Sequence, residues 1–234
     1  MKRLYIFVEG QTEESFVKMQ LRDYIMNIGE GRISTVVPLL IPKKKGANAR
    51  KNKGGFNPRT GYHIILDFVI RKLKEDTAAL YSTMFDYYAF PADCPALATS
   101  KAETDIYKKA KIIEDQMKQD VDHIGHSIKF FPYIQMHEFE ALLFSDVQAF
   151  ETSLGVTESQ RKALYDVQKE FTTPEHINDS PKTAPSKILE KIIPGYQKTV
   201  DGINTLSLIR VDRMREKCSH FNQWLSILEN AIKE

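Results

Sequence analysis

Arg3-Leu4-Tyr5-Ile6-Phe7-Val8-Glu9-Gly10-Gln11-Thr12-Glu13-Glu14-Ser15-Phe16-Val17 is the stretch whose reading decides the fold. Leu4 to Val8 is an unbroken apolar run of aromatic and β-branched residues. Such a run reads as a short strand buried on both faces, the kind found inside a parallel sheet. Gly10 permits a sharp turn, and Thr12 is a good N-cap for a helix starting near Glu13. A strand therefore ends, the chain turns, and a helix begins, with Glu9 where the strand stops. Ligand sites of open α/β sheets gather at the carboxyl ends of strands. A carboxylate buried there without a partner is costly, so Glu9 calls for an explanation.

The pattern continues outward from this unit. Apolar positions from Phe16 to Ile28 keep helical spacing over 13–28, and Gly29 supplies a stop. Residues 33–41 read as a second strand, and Pro38 inside it points to a sheet edge or a bulge. A helix is expected over 62–76 and a third strand over 79–85, ending at Asp86. Residues 87–100 carry Pro91 and Pro95 and read as a loop. A long amphipathic helix follows over 102–123, then a fourth strand over 127–135 and a helix from His137 to Phe144. Alternation of strands and helices implies a parallel sheet with right-handed crossovers, an α/β, Rossmann-like architecture. Beyond residue 146 no strand is legible. Helical stretches near 158–170, 184–193 and 203–232 suggest an all-helical extension, giving an α/β domain over 1–146 and a helical part over 147–234. Phe221, Trp224, Leu225 and Leu228 form an apolar stripe that reads as core.

Composition narrows the function. The 234 residues are 42% hydrophobic and 27% charged, as in ordinary globular proteins, and the net charge of +2 excludes a strongly basic nucleic-acid coat. Any polyanion affinity has to come from a local patch. Residues 42–61 offer one: Lys43, Lys44, Lys45, Arg50, Lys51, Lys53 and Arg59 occur there with no acidic residue. The segment reads either as a phosphate-contacting arm or as a solvated surface loop. No apolar run is long enough for a membrane span and no signal-peptide pattern is visible. Cys94 and Cys218 are far apart and in no metal spacing, which suits a reducing cytoplasmic compartment.

The chemistry-bearing residues are carboxylates. Glu9 and Asp86 each sit at the expected carboxyl end of a strand. In a 2-1-3-4 strand order they converge. Glu13, four residues after Glu9, is placed either to join them or to serve as a helix N-terminal charge. Glu138 and Glu140 follow the fourth strand and read either as further members or as ordinary helix positions. Converging carboxylates repel unless some are protonated or a cation sits among them, and oxygen-only ligands select a hard cation, Mg²⁺ or Mn²⁺. His137 shares a helical face with Glu140 and reads as structural or as a proton shuttle. No Walker A loop, dinucleotide-binding glycine motif or nucleophile elbow is present.

Val8-Glu9-Gly10-Gln11-Thr12-Glu13 resembles the first motif of TOPRIM domains, especially the nuclease-type branch of the overcoming-lysogenization-defect enzymes. Three segments together resemble the bacterial family called domain of unknown function 4276: residues 8–13, His137-Glu138-Phe139-Glu140-Ala141-Leu142-Leu143-Phe144-Ser145-Asp146, and Pro185-Ser186-Lys187 with Pro194-Gly195-Tyr196-Gln197-Lys198. The resemblance spans essentially the whole chain. It implies a TOPRIM-like four-stranded parallel sheet, with Glu9 and Asp86 as catalytic acids and Glu9, Glu13 and Asp86 as metal ligands. Glu138 and Glu140 would assist. The family's setting beside ATPases in defence or mobile-element clusters implies a separate ATPase as a partner. The sequence departs from the TOPRIM pattern after the third strand. Asp-x-Asp is usual there, whereas this chain has Asp86-Tyr87-Tyr88. Asp93, Glu138 or Glu140 are the available replacements. Two functions are therefore expected: a Mg²⁺-dependent nuclease or related phosphoryl-transfer enzyme acting on DNA or RNA, or a non-catalytic regulatory module of an ATPase.

Overall fold

The computed structural model of the chain describes residues 1–42, 61–88, 90–122, 129–177 and 183–234. The fold is mixed α/β, with a parallel sheet flanked by helices and a helical C-terminal segment. It divides into two compact units: unit 1 is Met1–Gln135 with Ser226–Glu234, and unit 2 is Met136–Leu225. The boundary expected at 146 falls within unit 2.

Unit 1 is built on β1 (Lys2–Val8), β2 (Ile33–Leu40), β3 (Leu80–Asp86), β4 (Lys129–Phe131) and β5 (Ile134–Gln135). The order is β2-β1-β3-β4, with β5 also pairing β3 and every pairing parallel. This is the 2-1-3-4 order that brings strands one and three together. β1 is central, so Leu4, Ile6, Phe7 and Val8 are all fully buried. That explains why the run is continuous rather than alternating. Pro38 lies in β2 at the sheet edge, where its missing N–H costs no ladder bond.

The helices of unit 1 are α1 (Gln11–Phe16), α2 (Arg22–Ile28), α3 (Tyr62–Glu75), α4 (Leu97–Ala102) and α5 (Ile106–Asp122). A wider π-helical turn, Val17–Leu21, joins α1 to α2. Two expectations are corrected here. The loop expected over 87–100 contains the start of α4, held by a bond between the Tyr87 and Ser100 hydroxyls at 2.9 Å. The long helix begins at Ile106, not 102, because the Asp105 carboxylate accepts the N–H groups of Tyr107 (2.9 Å) and Lys108 (3.1 Å).

The fourth strand differs most from expectation, being split into β4 and β5 around Pro132 and Tyr133. Proline has no N–H for the ladder. The side chains of β3 take over: Ser82 Oγ donates to the Phe131 carbonyl at 2.6 Å, and Thr83 Oγ1 donates to the Tyr133 carbonyl at 2.8 Å. The Tyr133 N–H returns a bond to Thr83 Oγ1 at 2.7 Å. Ser82 and Thr83 are fully buried, and each has its hydroxyl bonded, as burial requires.

The regular structure among the described residues of unit 2 is all helical. It contains α6 (Gln148–Leu154), α7 (Glu158–Glu170), α8 (Pro185–Ile192), α9 (Ile203–Leu208), α10 (Val211–Lys217) and the first part of α11 (Ser219–Lys233). His137–Phe144, expected as a helix, is instead an extended entry followed by a 3₁₀ turn over Phe139–Ser145. Its residues Phe139, Leu142, Leu143 and Phe144 are fully buried and form the core of the unit with Phe150 and Phe221. The single helix expected over 203–232 is three, broken at Ile209 and Cys218, whose backbones are extended. α6 has no counterpart among the expected helices. The stripe Phe221, Trp224, Leu225 and Leu228 is buried, as a core reading requires.

Candidate functional site

At the carboxyl end of the unit 1 sheet, β1 and β3 run parallel with Val8 opposite Met84. Glu9 and Asp86 follow from that register as neighbours on adjacent strands. The Asp86 N–H donates to Glu9 Oε2 at 3.4 Å, and Asp86 is 5% exposed. β5 flanks them on the other side, with Asp86 opposite Gln135 and the Tyr87 N–H donating to the Gln135 carbonyl at 2.9 Å.

Glu13 lies on the next turn of chain and is 3% exposed. One of its oxygens, Oε2, accepts the Gly10 N–H at 2.9 Å, the acidic half of a capping box. The N-cap is therefore Gly10, with extended backbone, and not Thr12, which is the second residue of the helix and is buried. A Cβ at position 10 would lie 2.9 Å from Glu13 Oε2, so glycine leaves room for that carboxylate to fold back. Asp93 is engaged elsewhere in the unit. Its Oδ1 accepts the Tyr62 N–H at 2.8 Å at the start of α3, and its Oδ2 lies 3.5 Å from His63 Nδ1.

Two adjoining carboxylates with the rest of the shell left to water match the donor set that Mg²⁺ commonly takes. Glu9 and Asp86 supply the residue types for such a set, and the contact between them runs from the Asp86 backbone N–H to the Glu9 carboxylate. Among the described residues there is no group of three or more His, Cys, Asp or Glu side chains arranged to hold a metal ion. The expected phosphate-contacting residues Lys43, Lys44, Lys45, Arg50, Lys51, Lys53 and Arg59 lie outside the described residues.

Within unit 2 the segment 137–146 meets both parts of the late segment, 185–187 and 194–198. Glu138 has an extended backbone, and its Oε2 accepts the Ser186 N–H at 3.0 Å in the first turn of α8. Glu140 is 1% exposed, and its Oε2 accepts from Lys198 Nζ at 2.7 Å. Burial pushes the Glu140 carboxyl above its ordinary value, Lys198 acts in the opposite direction, and the Glu138 charge adds to the rise. The second Glu140 oxygen and the Tyr196 hydroxyl are both buried and have no hydrogen-bond partner among the described residues. Burial, then the Glu140 charge, push the Tyr196 phenol well above its ordinary range. Tyr196 fits because position 202 is glycine, where a Cβ would lie 2.7 Å from the hydroxyl. His137 is buried and has a left-handed backbone (φ 60°), uncommon for a side chain with a Cβ. Lys187 pairs with Glu190 at 2.6 Å on the surface of α8.

The profile of the family described as domain of unknown function (DUF4276) matches residues 8–229. The chain belongs to that family. The DUF4276 match takes in Glu9, Glu13, Asp86, Glu138, Glu140 and Lys198, so both acidic clusters lie inside it. Among solved structures, the chain is similar to the C-terminal region of the Xanthomonas campestris pv. campestris OLD protein, at 12% identity over 98% of each chain, with a TM-score of 0.39. No curated protein matches.

Two residues that sequence reading did not place in a cluster are Tyr196 and Glu175. Tyr196 was visible only as part of a family-like segment. Glu175 is fully buried, and its carboxylate accepts the Phe221 N–H at 2.9 Å and the His220 N–H at 3.1 Å, capping α11. Nothing near it in sequence indicates that role.

Proposed function

We propose that this member of the DUF4276 family is a Mg²⁺-dependent, TOPRIM-like enzyme that hydrolyses phosphodiester bonds of nucleic acid. The observation that carries the reading is the meeting of Glu9 and Asp86 at the carboxyl ends of adjacent parallel strands. Glu9 and Asp86 would hold the cation, with the second oxygen of Glu13 available nearby in sequence. A hard cation so held neutralises charge that develops on phosphoryl oxygens. Glu9 stays aligned by its bond to the Asp86 backbone, and Asp86 is kept in line by β5. The basic segment 42–61 would grip the phosphate backbone. The wider setting, a defence or mobile-element system with a separate ATPase, belongs to the same proposal.

The test is calorimetric. Mg²⁺ and Mn²⁺ are titrated into the wild type and into Glu9→Ala, followed by assays on single- and double-stranded DNA and RNA. Binding and cleavage by the wild type, both lost in the variant, are the expected results. Absence of binding by the wild type, with or without nucleic acid, would sink the reading.

The second reading is a non-catalytic regulatory module of an ATPase. One observation favours it: Tyr88 stands where a second aspartate would follow Asp86, and Asp93 is committed to the start of α3. A wild type that binds Mn²⁺ in solution but cleaves no substrate would support this alternative.

A further inference from the structure

We propose that Lys198 is the resident cation of unit 2, and that Glu138 and Glu140 receive the two late family segments rather than ligate a metal. The residue types and the spacing Glu138-x-Glu140 invite a metal reading. The geometry within unit 2 points the other way. Glu140 is 1% exposed, and a carboxylate that deep needs a counter-charge. Lys198 supplies it at 2.7 Å, so the place a metal would take beside Glu140 Oε2 is filled by an ammonium. What is left over is one oxygen each of Glu140 and Glu138 and the neutral hydroxyl of Tyr196. That donor set carries too little charge to hold Mg²⁺ next to a fixed ammonium.

Glu138 is occupied as well. Its Oε2 accepts the Ser186 N–H, where the orphan donors and positive end of α8 favour a carboxylate. The two acids therefore do one job each: Glu138 holds Pro185-Ser186-Lys187, and Glu140 holds the π-helical turn Lys198–Gly202 that follows Pro194-Gly195-Tyr196. The other nearby charges are accounted for locally. Lys187 pairs with Glu190, and Asp201 accepts the Gln197 N–H at 2.7 Å. The family-like segments 137–146, 185–187 and 194–198 are thereby read as one ionic clamp that assembles the unit, whatever chemistry unit 1 performs.

The experiment is a double-mutant cycle on the full chain, using Glu140→Gln and Lys198→Met, paired with Mn²⁺ titration of each variant. Breaking one partner strands a buried charge or donor, whereas replacing both does not. Lys198→Met, which leaves the Glu140 carboxylate buried and uncompensated, is expected to raise the unfolding equilibrium constant by on the order of a hundredfold, and Glu140→Gln by less, since the Lys198 side chain is 38% exposed. The double variant should be at least tenfold more stable than the product of the two single effects. Glu140→Gln should bind Mn²⁺ with wild-type stoichiometry. A further equivalent of Mn²⁺ bound by Lys198→Met would support the proposal, since it would mean that removing the ammonium frees the carboxylate. Additive effects in the cycle overturn it, and so does loss of a Mn²⁺ equivalent on Glu140→Gln in a folded protein. If the wild type binds no Mn²⁺ at all, the metal reading of Glu9 and Asp86 fails, and the cycle alone decides the clamp.

Discussion

A carboxylate's role is set by what its oxygens accept, and three acids of this chain make the point. Glu13 looks in sequence like a partner of Glu9, yet one oxygen is spent on the Gly10 N–H. Its two possible roles separate by substitution. Glu13→Gln keeps an acceptor for Gly10, so the thermal midpoint should stay near that of the wild type, whereas Glu13→Ala should lose about 1 kcal/mol. If Glu13 also binds the cation, Glu13→Gln weakens Mn²⁺ binding at unchanged stability. Glu175 is a simpler case. Glu175→Ala leaves the N–H groups of His220 and Phe221 buried and unsatisfied, and should cost about 2–4 kcal/mol in urea unfolding. Glu175→Gln retains one acceptor and should recover part of that loss. Asp76 adds a pH dependence. Bonding to Arg3, at 2.5 and 2.9 Å, holds its carboxyl below the ordinary value of 3.8. A depressed folded value means the contribution is present above 3.8 and is lost as pH falls through the folded value. Asp76→Asn should therefore show a shallower loss of stability than the wild type as pH falls below 3.8.

At the scale of elements, the sequence was most readable where one segment settles its own structure. β1, β3, α3 and α7 fall within a residue or two of where apolar period and flanking polar residues put them. The contact of Glu9 with the Asp86 backbone was readable only on the condition that strands one and three are neighbours, which alternation does not fix and the sheet order supplies. What escaped were features decided by distant partners. The split of the fourth strand depends on Ser82 and Thr83, roughly fifty residues earlier in the chain, bonding the Phe131 carbonyl and the Tyr133 N–H and carbonyl on either side of Pro132. The break before α11 depends on Glu175. The 3₁₀ turn at Phe139–Ser145 is buried on every side, so it shows no amphipathic period to read. The fourth-strand account is testable. Thr83→Val keeps shape but strands the Tyr133 N–H and carbonyl, and should cost about 2–3 kcal/mol. Thr83→Ser should cost clearly less, since the hydroxyl remains. Equal losses for the two would mean that methyl packing, not the hydroxyl, holds the strand.

At the scale of the whole molecule, charge distribution constrains any nucleic-acid function more tightly than the acidic residues do. The chain's total of +2 conceals a division: the seven basic residues of 42–61 carry +7, so the remainder of the sequence carries −5. A net-negative remainder offers a polyanion no general attraction. If the protein engages nucleic acid, its grip has to be concentrated in that one segment, and the salt dependence must report it. Each phosphate neutralised by a lysine or arginine contributes about 0.9 to the slope of log K against log salt on duplex DNA, and about 0.7 on single strands. Replacing Lys43, Lys44 and Lys45 together by Gln should therefore lower the slope by roughly 2 to 3 and weaken binding uniformly across sequences. The folding midpoint of the triple variant, measured alongside, separates lost binding from lost folding. Fluorescence anisotropy between low and moderate salt reads both quantities. A slope unchanged by the triple substitution would make 42–61 a solvated loop and shift the search for a partner from nucleic acid to protein.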